Sequence, residues 1–228
     1  MADIKKHQRV NDILLGPLER PALRWLAAHL PGWVTPDICT GIGVFGSVVI
    51  AISYALSGWS RNFLWLASLG FIINWFGDSL DGTLARFRNI ERPIYGFFID
   101  HTVDAINEVL IFLGLGLTPY VSFNIASLAL IAYLLLSVLV YVRTCVVGEF
   151  KISYGKLGPT EIRALAILLN MGMYFGGVNF LTTLSWDPQS RFLITPYDLL
   201  VAGVAFLLFA FFMVTVIQEI RCLARGNE

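Results

Sequence analysis

Residues 199–217 contain no charged side chain, and residues 121–142 and 38–56 are nearly as apolar throughout. A helix of about 20 apolar residues spans the hydrocarbon core of a bilayer. Inside that core every backbone polar group must be satisfied within the protein, which leaves helices or closed barrels as the possible folds. Residues 62–76 form a shorter apolar run. Residues 164–184 form another, loosened by Asn170, Gly172, Gly176, Gly177 and Asn179. A sixth run covers residues 94–117 and is unusual, because its first half carries Asp100, His101, Asp104 and Glu108 while residues 109–117 are purely apolar. The chain is 57% hydrophobic and 14% charged over 228 residues, too apolar for a soluble domain of that size. The expected fold class is an all-α integral membrane protein with six transmembrane helices.

The basic residues predict an orientation. With six spans, one side of the membrane holds Lys5, Lys6, Arg9, Arg20, Arg24, Arg86, Arg88, Arg92, Arg143, Lys151, Lys156, Arg163, Arg221 and Arg225, and the other only Arg61 and Arg191. That asymmetry predicts that both termini are cytoplasmic; five or seven spans would scatter the basic loops. Residues 7–30 interleave Val10, Ile13, Leu14, Leu18, Leu23, Trp25, Leu26 and Leu30 with Arg9, Asp12, Glu19, Arg20 and Arg24, and Pro17 and Pro21 interrupt them. This pattern suits an amphipathic segment on the cytoplasmic face of the bilayer, or a cytosolic helix packed on the protein. The expected organisation is a juxtamembrane segment over residues 1–34, a six-helix membrane domain over 35–220 and a short cytoplasmic tail over 221–228. The first thirty residues never form an apolar core of the signal-peptide kind, so no cleavable signal is expected. Cys39, Cys145 and Cys222 are far apart and form no CxxC pair, which suggests neither a zinc site nor a disulfide framework. Lys+Arg and Asp+Glu are both 16, and no nucleic-acid partner is expected.

The chemistry concentrates in residues 77–104, GDSLDGTLARFRNIERPIYGFFIDHTVD. Asp78 and Asp81 are three apart and Asp100 and Asp104 four apart, so each pair occupies one face of a helix. Consecutive antiparallel helices joined by a short basic loop would bring the pairs together at the cytoplasmic end of the membrane. Charged groups in membrane spans are costly and point to function. Four carboxylates supply hard oxygen donors suited to Mg2+ or Mn2+, and two such ions can bridge carboxylates to phosphate oxygens. Helix caps and salt bridges to nearby arginines are the structural alternative. Gly82 leaves room beside Asp81, and Ala85 is small on the same side. Arg86 is placed either to grip a phosphate or to anchor the cytoplasmic end of its helix. Gly96, four residues before Asp100, leaves space for a helix crossing or for substrate entry. His101 lies off the aspartate face and is read as a donor behind the aspartates or as an interfacial residue.

Together these residues resemble the signature of the CDP-alcohol phosphotransferase family: Asp-x2-Asp-Gly-x2-Ala-Arg, about eight residues, then Gly-x3-Asp-x3-Asp. Asp78, Asp81, Gly82, Ala85, Arg86, Gly96, Asp100 and Asp104 fill every specified position. Residues 87–95 place one more residue between Arg86 and Gly96 than the family usually has, in a loop containing Pro93. The resemblance implies attack of an alcohol hydroxyl on a CDP-alcohol, with release of CMP. By the same carry-over, Asp78, Asp81 and Asp100 would be metal ligands, and Asp104 the general base, also touching a metal. Gly82, Ala85 and Arg86 would contact the CDP moiety. Thr35-Pro36-Asp37-Ile38-Cys39-Thr40 resembles the family's Pro-Asn-x-x-Thr element near the nucleotide, with Asp37 in place of Asn. Asp37 and Thr40 are therefore candidate nucleotide contacts, and a plain helix cap is the alternative. Arg143, Lys156 and Arg163 would bind a phosphorylated acceptor, or serve only as positive-inside charge. The implied cofactors are two Mg2+ or Mn2+ ions, and the implied donor is CDP-diacylglycerol or another CDP-alcohol. The implied partners are a polar alcohol acceptor, the lipid bilayer and, as one compatible arrangement, a second copy in a homodimer. The implied location is the plasma (inner) membrane of a bacterium, should the source be one, with the active site facing the cytoplasm. A membrane prenyltransferase also uses aspartate motifs, but normally two of them far apart in sequence. A carboxylate-based ion transporter would spread its acidic groups across several spans.

Overall fold

The computed structural model describes residues 14–147, 158–178, 182–187 and 190–225. Its helices are α1 (Gly16–His29), α2 (Pro36–Leu56), α3 (Phe63–Phe87), α4 (Pro93–Gly116), α5 (Phe123–Val147), α6 (Pro159–Gly176) and α7 (Pro196–Arg225). A short antiparallel hairpin, β1 (Thr182–Asp187) and β2 (Ser190–Ile194), separates α6 from α7. Among the described residues the fold is all-α apart from that hairpin. Among the described residues, α2, α3, α5 and α7 are long and apolar enough to cross a bilayer. The 24-residue α4 interrupts its apolar run with Asp100, Asp104 and Glu108, and α6 has only 18 residues.

Several boundaries differ from the sequence expectation. The apolar run at 62–76 continues as helix through Phe87, so Asp78 and Asp81 lie inside α3 rather than beyond a span. The run at 164–184 begins earlier, at Pro159, and stops at Gly176. Gly177 follows at φ 61°, a left-handed conformation that glycine adopts without Cβ strain and that ends the helix. Pro21 does not interrupt α1, which runs through it from Gly16 to His29. It removes one backbone donor, a local cost that the packing of α1 outweighs.

Glycine sets the closest approach in the bundle. A Cβ on Gly77 would lie 2.2 Å from the Gly43 amide nitrogen and 2.4 Å from the Cys39 carbonyl oxygen. On Gly46 it would lie 2.5 Å from the Asn74 nitrogen. α2 and α3 therefore pack backbone against backbone, the close approach that small residues permit between membrane helices. Asn74 bridges the same seam, donating to the Gly43 carbonyl and to Ser47, both at 3.0 Å. α4 approaches α2 in the same way, at Gly114 against Ala51.

α1 covers the end of α2 and α3 where the aspartates lie. Leu23 and Ala27 bury against Val34, Cys39, Leu80 and Leu84. Glu19 accepts from the Trp75 indole N–H and from the Thr160 hydroxyl, both at 2.9 Å. Glu161 of α6 accepts from the Leu15 amide at 2.8 Å. Arg88 fastens the end of α3 by donating to the carbonyls of Leu30, Pro31 and Val34. At the other end of the bundle, Thr195 and Asp198 cap α7 reciprocally at 2.9 Å, and Asp198 also accepts from the Ser122 amide.

Candidate active site

The link between the two aspartate helices is only residues 88–92. α3 ends in a Schellman turn: the Asn89 N–H donates to the Arg86 carbonyl and the Ile90 N–H to the Ala85 carbonyl, with Asn89 at φ 56°. The extra residue of the motif falls in the segment that contains this turn, and the spacings inside α3 and α4 are untouched. A cleft of about 780 Å3 is lined by residues of α1, α3, α4, α5, α6 and α7. Asp78, Asp81, Asp100 and Asp104 all line it, together with Gly82 and Arg86. Asp81 lies within electrostatic range of Asp78 and Asp100, and Asp104 within range of Asp78, Asp100 and Glu108.

Each aspartate of α3 has a fixed partner. Asp81 is buried and accepts from the Thr40 hydroxyl of α2 at 2.7 Å and from the Gly82 amide. Asp78 accepts from Arg163 of α6 at 2.6 Å, and the same guanidinium donates to Asn74 at 2.7 Å. Gly82 makes room for its neighbour one turn on: a Cβ there would lie 3.3 Å from the Arg86 guanidinium. Ala85 does not line the cleft. Nothing lies within 4 Å of where a Gly96 Cβ would be, so this glycine marks open space and not a helix crossing.

The remaining candidates separate. Thr35 caps α2, accepting from the Ile38 amide at 3.3 Å. Asp37 faces outward and pairs with Arg92, an ion pair that pushes the guanidinium's pKa still further up. Arg143 pairs with Glu219 of α7 at 2.8 Å, and neither Asp37 nor Arg143 lines the cleft. Arg163 does line it. Lys156 lies outside the described residues. His101 lines the cleft with its ring stacked on Tyr141, at 5.2 Å between centroids.

Further groups reach the cleft that the motif did not indicate, among them Arg20 and Arg24 from α1, Glu108 from α4 and Tyr133 from α5. Glu108 was signalled by its spacing, four residues after Asp104. The others come from helices whose arrangement the motif does not specify. Among the described residues no three His, Cys, Asp or Glu side chains are drawn together tightly enough to hold a metal ion. The donor chemistry nevertheless fits a divalent ion. Four aspartates from two adjoining helices share one cleft with Glu19 and Glu108, and these six carboxylates outnumber the four guanidiniums there, Arg20, Arg24, Arg86 and Arg163.

A profile of the CDP-alcohol phosphatidyltransferase family matches residues 33–217, which includes α2 to α6, the hairpin and most of α7. The chain therefore belongs to the CDP-alcohol phosphatidyltransferase family, whose members transfer phosphate-containing groups. It is 40% identical to phosphatidylinositol phosphate synthase of Cutibacterium acnes over 90 residues, 40% of this chain and 41% of that protein. It is 27% identical to cholinephosphotransferase 1 of Danio rerio over 68% of this chain and 42% of that protein. An uncharacterized protein of Aquifex aeolicus is 30% identical over 67% of this chain and 65% of its own length. The matches to the two named relatives thus span about two-fifths of each relative's length.

Proposed function

We propose that this chain transfers a phosphatidyl group from CDP-diacylglycerol to the hydroxyl of a polar alcohol, releasing CMP, at the cytoplasmic face of a membrane. The observation that carries this reading is the convergence of two aspartate pairs, from α3 and α4, with Gly82 and Arg86 on one cleft. Family membership supports it.

Asp78, Asp81, Asp100 and Asp104 would hold two divalent ions, Mg2+ or Mn2+, which when bound would neutralise diphosphate charge. Arg86, whose guanidinium lies over Gly82, receives the CDP portion. Thr40 orients Asp81, and Arg163 with Asn74 orients Asp78, so both carboxylates are held before substrate arrives. Asp104, one turn beyond Asp100, takes the proton from the attacking hydroxyl. The oxygen of that hydroxyl forms the new bond to the phosphorus next to the lipid alcohol, and the bond from that phosphorus to CMP breaks. Positioning and charge neutralisation supply most of the catalysis in reactions of this type.

The placement in the membrane is part of the proposal. α2 to α7 would supply six crossings, with α4 and α6 tolerating their polar groups because these face the cleft or neighbouring helices. α1 would lie on the cytoplasmic face, with its Leu18 and Trp25 and the preceding Leu14 exposed toward lipid.

The test is CMP release by purified protein supplied with CDP-diacylglycerol, Mg2+ and a set of alcohols. Activity should vanish with EDTA and return with Mg2+ or Mn2+. Asp81→Asn should abolish turnover while leaving the protein folded, since it removes one charge from a crowded acidic site. A fully active Asp81→Asn protein would make the cluster structural. Release of CMP only from CDP-choline with diacylglycerol would reverse the donor assignment. That alternative is favoured by the named activity of the zebrafish relative.

A further inference from the structure

Glu108 is the one acidic group of the cleft that the proposed transfer leaves without a role besides Glu19, which binds α1 to its neighbours. It follows Asp104 by four residues on α4, so it lies on the same face about 6 Å deeper along the helix axis. The Tyr133 hydroxyl of α5 donates to its carboxylate. Its Oε2 is buried with no hydrogen-bond partner among the described residues. A buried acceptor left unpaired in the free protein is a place where a ligand's donor gains most.

The cleft is also polarised along its length. Arg20 and Arg24 of α1 and Arg86 at the end of α3 occupy the end toward the helix termini. Beyond Asp104 the cleft meets Glu108 and Tyr133, and nearby Arg163 gives Nε to Asn74 and Nη2 to Asp78 while its Nη1 is buried with no hydrogen-bond partner among the described residues. A phosphorylated alcohol seated at this inner end would set its phosphate against the Glu108 carboxylate, where the positive charge of Arg163 is already balanced by Asp78. An uncharged alcohol or an amino alcohol would instead offer the O–H or N–H that Oε2 lacks.

We propose that Glu108, oriented by Tyr133, determines acceptor specificity by hydrogen-bonding a second hydroxyl or an ammonium group of the incoming alcohol, and that it disfavours phosphorylated acceptors. This rests on the proposed transfer from a CDP-alcohol. The experiment uses the full chain in detergent with CDP-diacylglycerol and Mg2+. It compares serine, ethanolamine, glycerol and inositol with glycerol phosphate and inositol phosphate. At least one unphosphorylated alcohol should be used with a kcat/KM about tenfold or more above its phosphorylated counterpart. Glu108→Gln should raise the acceptor KM about tenfold or more and hold the donor KM within about twofold. Tyr133→Phe should move the acceptor KM in the same direction by less. Thermal unfolding gives a readout independent of turnover. CDP with Mg2+ should raise the melting temperature of both wild type and Glu108→Gln, and added acceptor should raise it further in wild type alone.

Turnover confined to phosphorylated alcohols overturns the inference, as does an unchanged acceptor KM in Glu108→Gln. Equal loss of donor and acceptor affinity in that variant marks Glu108 as structural, and a weakened Mg2+ requirement with unchanged acceptor preference marks it as a metal ligand; each also overturns it. A wild-type protein with no CDP shift and no CMP release refutes the proposed function, and the inference falls with it. CDP binding and CMP release without acceptor discrimination refute the inference alone.

Discussion

Gly77→Ala adds one methyl group at the tightest point between α2 and α3. The new Cβ would sit 2.2 Å from the Gly43 nitrogen, 2.4 Å from the Cys39 carbonyl oxygen and 2.6 Å from the Gly43 Cα. Ordinary contact begins near 3.4 Å, so the helices must part by about an ångström or the chain must distort. All three obstructing atoms are backbone, and no rotamer change relieves the clash. Overpacking of a close-packed interior typically costs about 1–3 kcal/mol, and backbone obstruction places this case at or above the top of that range. For a chain of this size each kcal/mol lowers the melting temperature by about 2–4 °C, so a loss of roughly 6–12 °C is expected. The functional loss should be larger than the stability loss. Asp78 is the next residue, and Asp81 is held by Thr40, the residue directly after Cys39. A displacement of about an ångström at a catalytic group can cost on the order of 10²-fold in rate. Gly41→Ala is the matched control, because nothing lies within 4 Å of a Cβ there and Gly41 is in the interior of α2. Removing that glycine should stabilise by up to about 1 kcal/mol. The assay is a thermal melt in detergent alongside CMP release. Gly77→Ala and Gly41→Ala behaving alike would refute the backbone-to-backbone packing.

Three further outcomes are expected. Asp104→Asn should lower turnover by roughly 10²–10⁴-fold and spare Mg2+-dependent nucleotide binding, whereas Asp78→Asn should weaken that binding itself. Nucleotide affinity measured beside turnover decides between them, and equal loss of binding in both would make Asp104 chiefly a metal ligand. Reporters fused after Glu228 and near Glu149 should be cytoplasmic and one near Gln189 external; a cytoplasmic signal at Gln189 would undo the six crossings. Glu19→Ala removes the acceptor shared by Trp75 and Thr160 and should loosen α1, detected as faster proteolysis of the N-terminal segment, with unchanged protection if α1 is held by Leu23 and Ala27 alone.

The aspartate cluster was legible because the metal-binding chemistry it resembles fixes residue type and helical spacing together, and α3 and α4 preserve both spacings. Span limits were less legible where polarity and helix ends diverge. Apolar character stops at Phe76, but the helix continues to Phe87, since its polar turns face a cleft rather than lipid. In the run at 164–184, a left-handed glycine ended the helix where hydropathy predicted more span. Arg88 could not be told from its basic neighbours by sequence. Its donation to four carbonyls of the α1–α2 connection is long-range, across more than fifty residues, and no local pattern encodes it. The glycines at 43, 46, 70 and 77 were visible only as apolar filler, because their meaning depends on which helix they meet.

That seam also explains how a cluster of carboxylates can stand at the end of a bundle made of otherwise apolar helices. Carboxylates crowded within one cleft repel one another, and the repulsion grows as water is excluded. A flexible support would relieve it by letting α3 and α4 drift apart. Here α3 cannot drift from α2 without opening a glycine contact that has no side chains to fill the gap, and α4 is locked to the same helix at Gly114. Thr40 and Arg163, from α2 and α6, then hold Asp81 and Asp78 in place. The strain of gathering negative charge is carried by backbone packing deep in the bundle, which leaves the cleft side of the carboxylates available for counter-charge. Removing the counter-charge on one carboxylate should therefore matter less for folding than widening the seam. On this reasoning Arg163→Gln should melt closer to wild type than Gly77→Ala does, while losing far more activity per degree of melting temperature lost. Thermal melts and CMP release on the two variants measure both quantities, and an Arg163→Gln protein that melts earlier than Gly77→Ala would show that the ion pair, not the glycine seam, holds the site together.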